Sequence, residues 1–129
     1  DAWATRRKLV QRGALSAAAE VGLLNLIFTK HTKAGFAWHH RKWVLDTIDA
    51  GETVLRRELT EVCTPIADLY PKNYYAWTHR LWALRRIAAL GLPEVAAIVR
   101  DELGATRAWL AAHPSDHSAV SYRMQVLNL

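Results

Sequence analysis

The sequence is poor in several residue types, and each shortage removes a class of function. One cysteine and one methionine occur in 129 residues. A lone thiol, Cys63, excludes an internal disulfide framework and fits a reducing compartment such as the cytoplasm. With no activating partner in the sequence, it is expected to be inert. No apolar run reaches the roughly 20 residues of a membrane-spanning helix. The most apolar stretch, Ala14 to Phe28, is interrupted by Ser16, Glu20 and Asn25, and it reads as a buried helix. Trp3, Arg6, Arg7 and Lys8 lead into no cleavage site, so no signal peptide is expected. The formal net charge is +5, yet the basic residues are scattered among acids and tryptophans. Without a Lys/Arg tract or a nucleic-acid fingerprint, an acidic partner surface or an anionic ligand accounts for that charge as well as nucleic acid would, and no nucleic-acid partner is expected. There is no His-Glu-x-x-His or paired-cysteine spacing, and the adjacent His39 and His40 point to different sides of a helix, so no metal site is expected. Neither a nucleophile elbow nor a glycine-rich phosphate loop is present. Taken alone, the chain has no complete active site.

What the sequence does have is tryptophan, six of them, and a repeat. Ala37-Trp38-His39-His40-Arg41-Lys42-Trp43-Val44-Leu45 matches Ala76-Trp77-Thr78-His79-Arg80-Leu81-Trp82-Ala83-Leu84. Weaker copies run from Ala119 to Leu127 and from Ala2 to Val10. The arginines at 6, 41, 80 and 123 are spaced by 35, 39 and 43 residues. Such periods suit a two-helix unit, with a helix A, a short loop and a motif-bearing helix B. Motif helices are expected near 2–12, 35–48, 73–89 and 116–129.

Local chemistry sets the other boundaries. After Gly13, a helix A is expected from about Ala14 to Lys30, and Asp49-Ala50-Gly51 stops the following helix B. A second helix A spans about Glu52 to Tyr70, where Pro65 should kink or split it. Pro71 ends it, and Asn73 can cap the next motif helix. Gly91-Leu92-Pro93 forms a turn with Pro93 at a helix start. From Glu94 the apolar spacing is helical until His113-Pro114, after which Ser115 or Asp116 caps the last helix. Nothing alternates with a period of two, so the fold is expected to be all-α. Trp77, Leu81 and Leu84 share one face of their helix; Ala76, His79 and Ala83 form an adjacent stripe. Two buried faces per motif helix are what a solenoid interior requires, and the alanine before each tryptophan allows close helix approach. The tryptophans are therefore read as core, with Trp38, Trp77, Leu45 and Leu84 between hairpins. The recurring Arg41, Arg80 and Arg123 are read as structural arginines paired with loops or carboxylates, since a buried charge must be paired. His40 and His79 are read as packing groups between repeats.

Pro71-Lys72-Asn73-Tyr74-Tyr75-Ala76-Trp77-Thr78-His79-Arg80-Leu81-Trp82 and the block from Ala37 to Leu45, with Trp38, Arg41 and Trp43, resemble the repeat of protein prenyltransferase α subunits, whose general form is Asn-Tyr-x-x-Trp-x-x-Arg. The resemblance covers nearly the whole chain and is closer to the repeat-containing branch of the family than to its farnesyltransferase or Rab geranylgeranyltransferase α subunits. It implies a single domain over 1–129, a right-handed superhelix of antiparallel helical hairpins, as in tetratricopeptide-like solenoids. It also implies a heterodimer with a prenyltransferase β subunit, which would hold the isoprenoid pocket and any zinc; no cofactor is implied for this chain. The partners implied are an isoprenoid diphosphate and an acceptor protein with a C-terminal cysteine. A lysine in the Pro-Lys-Asn-Tyr block contacts the diphosphate in the farnesyltransferase type; the matching residue here is Lys72, followed by Asn73 and Tyr74. Lys33 stands the same five residues ahead of Trp38 as Lys72 does ahead of Trp77, in a block where Ala34-Gly35-Phe36 replaces Asn-Tyr-x. The alternative function is a helical-repeat scaffold that binds a protein and has no transferase role.

Overall fold

Caps written into the sequence delimit the helices. In the computed structural model, which describes residues 1–129, α1 spans Ala2–Gln11, α2 Ala17–Phe28 and α3 Gly35–Thr47. The Asp1 side chain caps α1 through the Ala4 amide, and Ser16 caps α2 through the Ala19 amide at 3.0 Å. That cap starts α2 three residues later than the apolar run does. Asp49, in the left-handed region at φ 50°, ends the turn after α3. The chain continues with α4 (Glu52–Arg57), a π-helical turn (Glu58–Cys63), α5 (Thr64–Leu69), α6 (Tyr74–Ala89), α7 (Val95–Ala112) and α8 (His117–Leu127). There is no strand. Asn73 caps α6 through the Tyr75 amide (3.0 Å), and Asp116 rather than Ser115 caps α8 through the Ala119 amide (3.2 Å). Pro93 lies in the turn and not at the helix start: the cap of α7 is Glu94.

The expected break at Pro65 takes a definite form. Proline has no N–H to give, and its ring crowds the carbonyl four residues back. The helix widens into the π-helical turn just before it, and the Thr64 hydroxyl donates to the Leu59 carbonyl at 3.0 Å. A π turn absorbs one extra residue without ending the helix.

The helices group into two compact units, Asp1–Ala50 and Gly51–Leu129. In the first, α2 and α3 form an antiparallel hairpin: Phe28 stacks on Trp38 at 4.2 Å near the loop, while Glu20 meets His40 further along. Leu24, Phe28, Ala37, Trp38, Val44 and Leu45 are buried. In the second, α6 is the central helix, in contact with α4, the π turn, α5, α7 and α8. Both of its expected faces are buried, Trp77, Leu81 and Leu84 on one side and Ala76, His79 and Ala83 on the other.

The reading of all six tryptophans as core needs correction. Only Trp38 and Trp77 are buried, whereas Trp3, Trp43, Trp82 and Trp109 are half-buried. Trp43 and Trp82 lie three residues beyond His40 and His79, and stack on those imidazoles at 5.8 and 5.3 Å. An indole is amphipathic enough to roof a buried polar group while its outer edge stays in water.

Candidate functional site

Glutamates on the A helices receive the charged residues of the motif. In the first unit the buried Glu20 takes the Arg6 guanidinium on both oxygens, one contact at 3.0 Å, and the Nε2 of the buried His40 at 2.8 Å. Trp3 lies over that imidazole at 4.8 Å. In the second unit Glu58 holds His79 Nε2 at 2.9 Å. Further along, Glu102 accepts two bonds from Arg80 and one from the Tyr122 hydroxyl. A neighbouring A-helix acceptor takes one more arginine donor each time: Arg41 to Asn25 Oδ1 (2.8 Å), Arg80 to Thr64 Oγ1 (2.9 Å) and Arg123 to Thr106 Oγ1 (2.9 Å). The polar interruptions of the apolar run are thus a cap (Ser16), a charge clamp (Glu20) and an arginine acceptor (Asn25). Each of these arginines is hydrogen-bonded to a side chain of an A helix. The reading of the histidines changes: each bonds a glutamate of its own hairpin.

The sequence reading missed these glutamates. Their signal is spacing, since Glu20, Glu58 and Glu102 precede His40, His79 and Tyr122 by 20, 21 and 20 residues. Glu58 and Thr64, which face α6, are six apart, one more than the five between Glu20 and Asn25, which face α3; the π turn accommodates the extra residue.

The Arg6 hydrogen bond holds the Glu20 carboxyl below its ordinary value, against the opposing pull of burial and with help from His40. A depressed folded-state value stabilises the fold above the unfolded glutamate range, about pH 4.3, and that contribution disappears as pH falls through the depressed value. Thermal melts between pH 6 and pH 3 should show the parent losing this increment below about pH 4.3, while Glu20→Gln lacks it at every pH. Equal slopes for the two proteins would remove Glu20 from the acid response.

The lysine turn is the other candidate feature. Lys72 is exposed, sits at φ 65° and donates its backbone N–H to Asp116 Oδ2 at 3.0 Å. The other oxygen of the buried Asp116 caps α8. The turn is therefore fixed by the buried Asn73 cap on one side and by α8 on the other. Tyr74 and Tyr75 beside it are exposed and meet edge to face at 5.6 Å. Lys33 is exposed in a turn too, but the cap position after it is Ala34, with no side-chain bond to α3. Cys63 is buried, and no group of three or more His, Cys, Asp or Glu side chains is placed to hold a metal ion. No helix is long and apolar enough to cross a membrane.

Residues 18–48, 57–87 and 99–129 each match the protein prenyltransferase α subunit repeat. The chain belongs to that family. The first match spans α2 and α3, the second runs from the end of α4 through most of α6, and the third covers most of α7 with α8. Protein prenyltransferase α subunit repeat-containing protein 1 of Danio rerio is 36% identical over 98% of the chain, and the human protein of that name is 33% identical over the same share. A Xenopus laevis relative, repeat-containing protein 1-B, is 32% identical. The chain spans about a third of the length of these relatives, 33% to 35%. In this prenyltransferase α subunit repeat, the second and third matches bring Lys72 and Asp116 together at one hairpin tip.

Proposed function

We propose that the chain forms part of an α-type subunit of a heterodimeric protein prenyltransferase, braced against a β subunit and offering Lys72 to an isoprenoid diphosphate, with Asn73 and Tyr74 beside it and Lys33 as the corresponding lysine of the preceding repeat. The observation that carries this reading is the Lys72 turn. A lysine on a hairpin tip is ordinarily a mobile surface charge, but here the backbone is pinned through Asp116 and Asn73. When the acceptor thiolate attacks the isoprenoid carbon, the carbon–oxygen bond to diphosphate breaks and negative charge builds on the departing group. A positioned ammonium stabilises that charge. The isoprenoid pocket and any zinc belong to the β subunit in this reading, so the chain alone should transfer nothing.

The test is single-turnover kinetics of the full-length α subunit reconstituted with a β subunit. Lys72→Ala keeps a Cβ, so it leaves the left-handed backbone as it was. It should lower kcat and kcat/KM together, by roughly 2–4 kcal/mol in the barrier, or about 30- to 1000-fold. Lys33→Ala should cost less. If Lys33→Ala is the slower enzyme, the cleft faces the other repeat; prenylation by the isolated chain rules out the two-subunit reading.

A second reading, a helical-repeat scaffold for another protein, is favoured by the buried polar groups. Glu20 and Glu58 hold His40 and His79 within their own hairpins, and Glu102 holds Arg80 of the preceding hairpin. Such groups hold a fold together and leave little for chemistry. Co-purification with mass spectrometry separates the two, since the first reading requires a prenyltransferase β subunit among the partners.

A further inference from the structure

The face of α8 that matches the buried face of α6 is open. Val120, Met124 and Leu127 stand 43 residues after Trp77, Leu81 and Leu84. On α6 those three positions are 3%, 6% and 0% exposed; on α8 they are 37%, 62% and 69% exposed. The adjacent stripe is buried in both helices, as Ala76, His79 and Ala83 on α6 and as Ala119, Tyr122 and Val126 on α8. Part of what covers the α6 face is α7, whose Trp109 meets Trp77 edge to face at 4.9 Å and whose Glu102 holds Arg80. The same hook occurs in the first unit, where Arg6 of α1 holds Glu20 of the next helix. Arg123, at the matching place on α8, donates to Leu103 O and Thr106 Oγ1 and has no carboxylate partner.

We infer that the Val120–Met124–Leu127 face with Arg123 is a docking surface for the first helix of a further hairpin of this repeat, a helix carrying a glutamate for Arg123. By the pattern of α7, a large apolar side chain seven residues after that glutamate lies against Val120, as Trp109 lies against Trp77. Charge complementarity and the repeated register both select this occupant. A membrane surface or an unrelated apolar peptide would leave the guanidinium without its carboxylate. The relatives, of which the chain spans 33% to 35%, have length enough for such a hairpin.

A fusion tests the inference directly. A second copy of residues 87–129 placed after Leu129 keeps the 43-residue register and offers the copied Glu102 to Arg123. The fusion should melt higher than the parent, by roughly 4 °C or more. Hydrogen exchange at the amides of Val120 to Leu127 should slow. Arg123→Ala should lower Tm more in the fusion than in the parent, where only Leu103 O and Thr106 are lost, and Glu→Gln at the copied position should erase that difference. Equal effects of Arg123→Ala in both proteins overturn the glutamate hook. An appended hairpin that exchanges freely and leaves Tm unchanged overturns the docking surface itself. A parent Tm that rises with concentration and loses that dependence in Arg123→Ala would put a second copy on the face instead.

Discussion

Trp77→Ala should destabilise the chain by about 3–5 kcal/mol, the usual cost of truncating a buried large aromatic. The side chain is 3% exposed and at the middle of the second unit. Its ring meets Trp109 at 4.9 Å and Tyr122 at 5.3 Å, and the Arg80 guanidinium lies 5.4 Å from its centroid. Removing it opens a cavity lined from α6, α7 and α8 and strips a face from a buried cation. The half-buried Trp82 is the internal control. It roofs His79 from outside, with the exposed Arg86 guanidinium over its own ring, and water refills the space, so Trp82→Ala should cost well under half as much. Urea unfolding followed by circular dichroism measures both. A Trp77→Ala protein as stable as the parent would remove it from the core.

That contrast shows what the sequence could and could not convey. The motif helices were legible because register, caps and apolar spacing agree: Asn73 before Tyr74-Tyr75-Ala76-Trp77 forms the cap it promised, and both faces of α6 are buried. The depth of each tryptophan was not legible. Trp77 and Trp82 are five residues apart on one helix, and only the arrangement of neighbouring helices decides which ring is enclosed. Pro65 announced a disturbance, but whether a helix breaks, kinks or widens depends on the contacts on either side. Here Glu58 faces His79 and Thr64 faces Arg80, and a π turn keeps both in place. The glutamates sit in the A helices, outside the motif, where a charge among apolar residues reads as an interruption. The lysine turn was half legible. Pro71 and Asn73 indicated a defined turn; the Asp116 anchor is 44 residues away, just ahead of one of the weaker copies of the motif.

Glu102→Ala should be the most damaging polar substitution, costing roughly 3–5 kcal/mol, because it leaves a buried cation without its counter-charge. Burial by itself would push the Arg80 guanidinium down, and the hydrogen bond and charge of Glu102 outweigh it and raise it. The same carboxylate accepts from the Tyr122 hydroxyl, which burial first, then the Glu102 charge, push above the ordinary tyrosine range. One side chain therefore ties α6, α7 and α8 together. Pairing matters here more than charge as such: a buried ion pair exchanged for apolar groups of similar volume is often neutral. The double variant Arg80→Met with Glu102→Leu should thus recover much of the stability that Glu102→Ala loses, and the cycle built from the single variants should show strong coupling. Additive losses would mean that Arg80 and Glu102 act independently. The tyrosine supplies a pH readout with its own sign. A phenol held neutral in the fold stabilises it below the unfolded tyrosine value of about 10, and that stability is lost as pH rises beyond it. The parent should therefore weaken between about pH 9.5 and 11. Tyr122→Phe, which leaves one Glu102 oxygen a bond short, should start weaker and lose less stability over that interval. If both proteins weaken in parallel, another group governs the alkaline limb and the Tyr122–Glu102 bond contributes little to it.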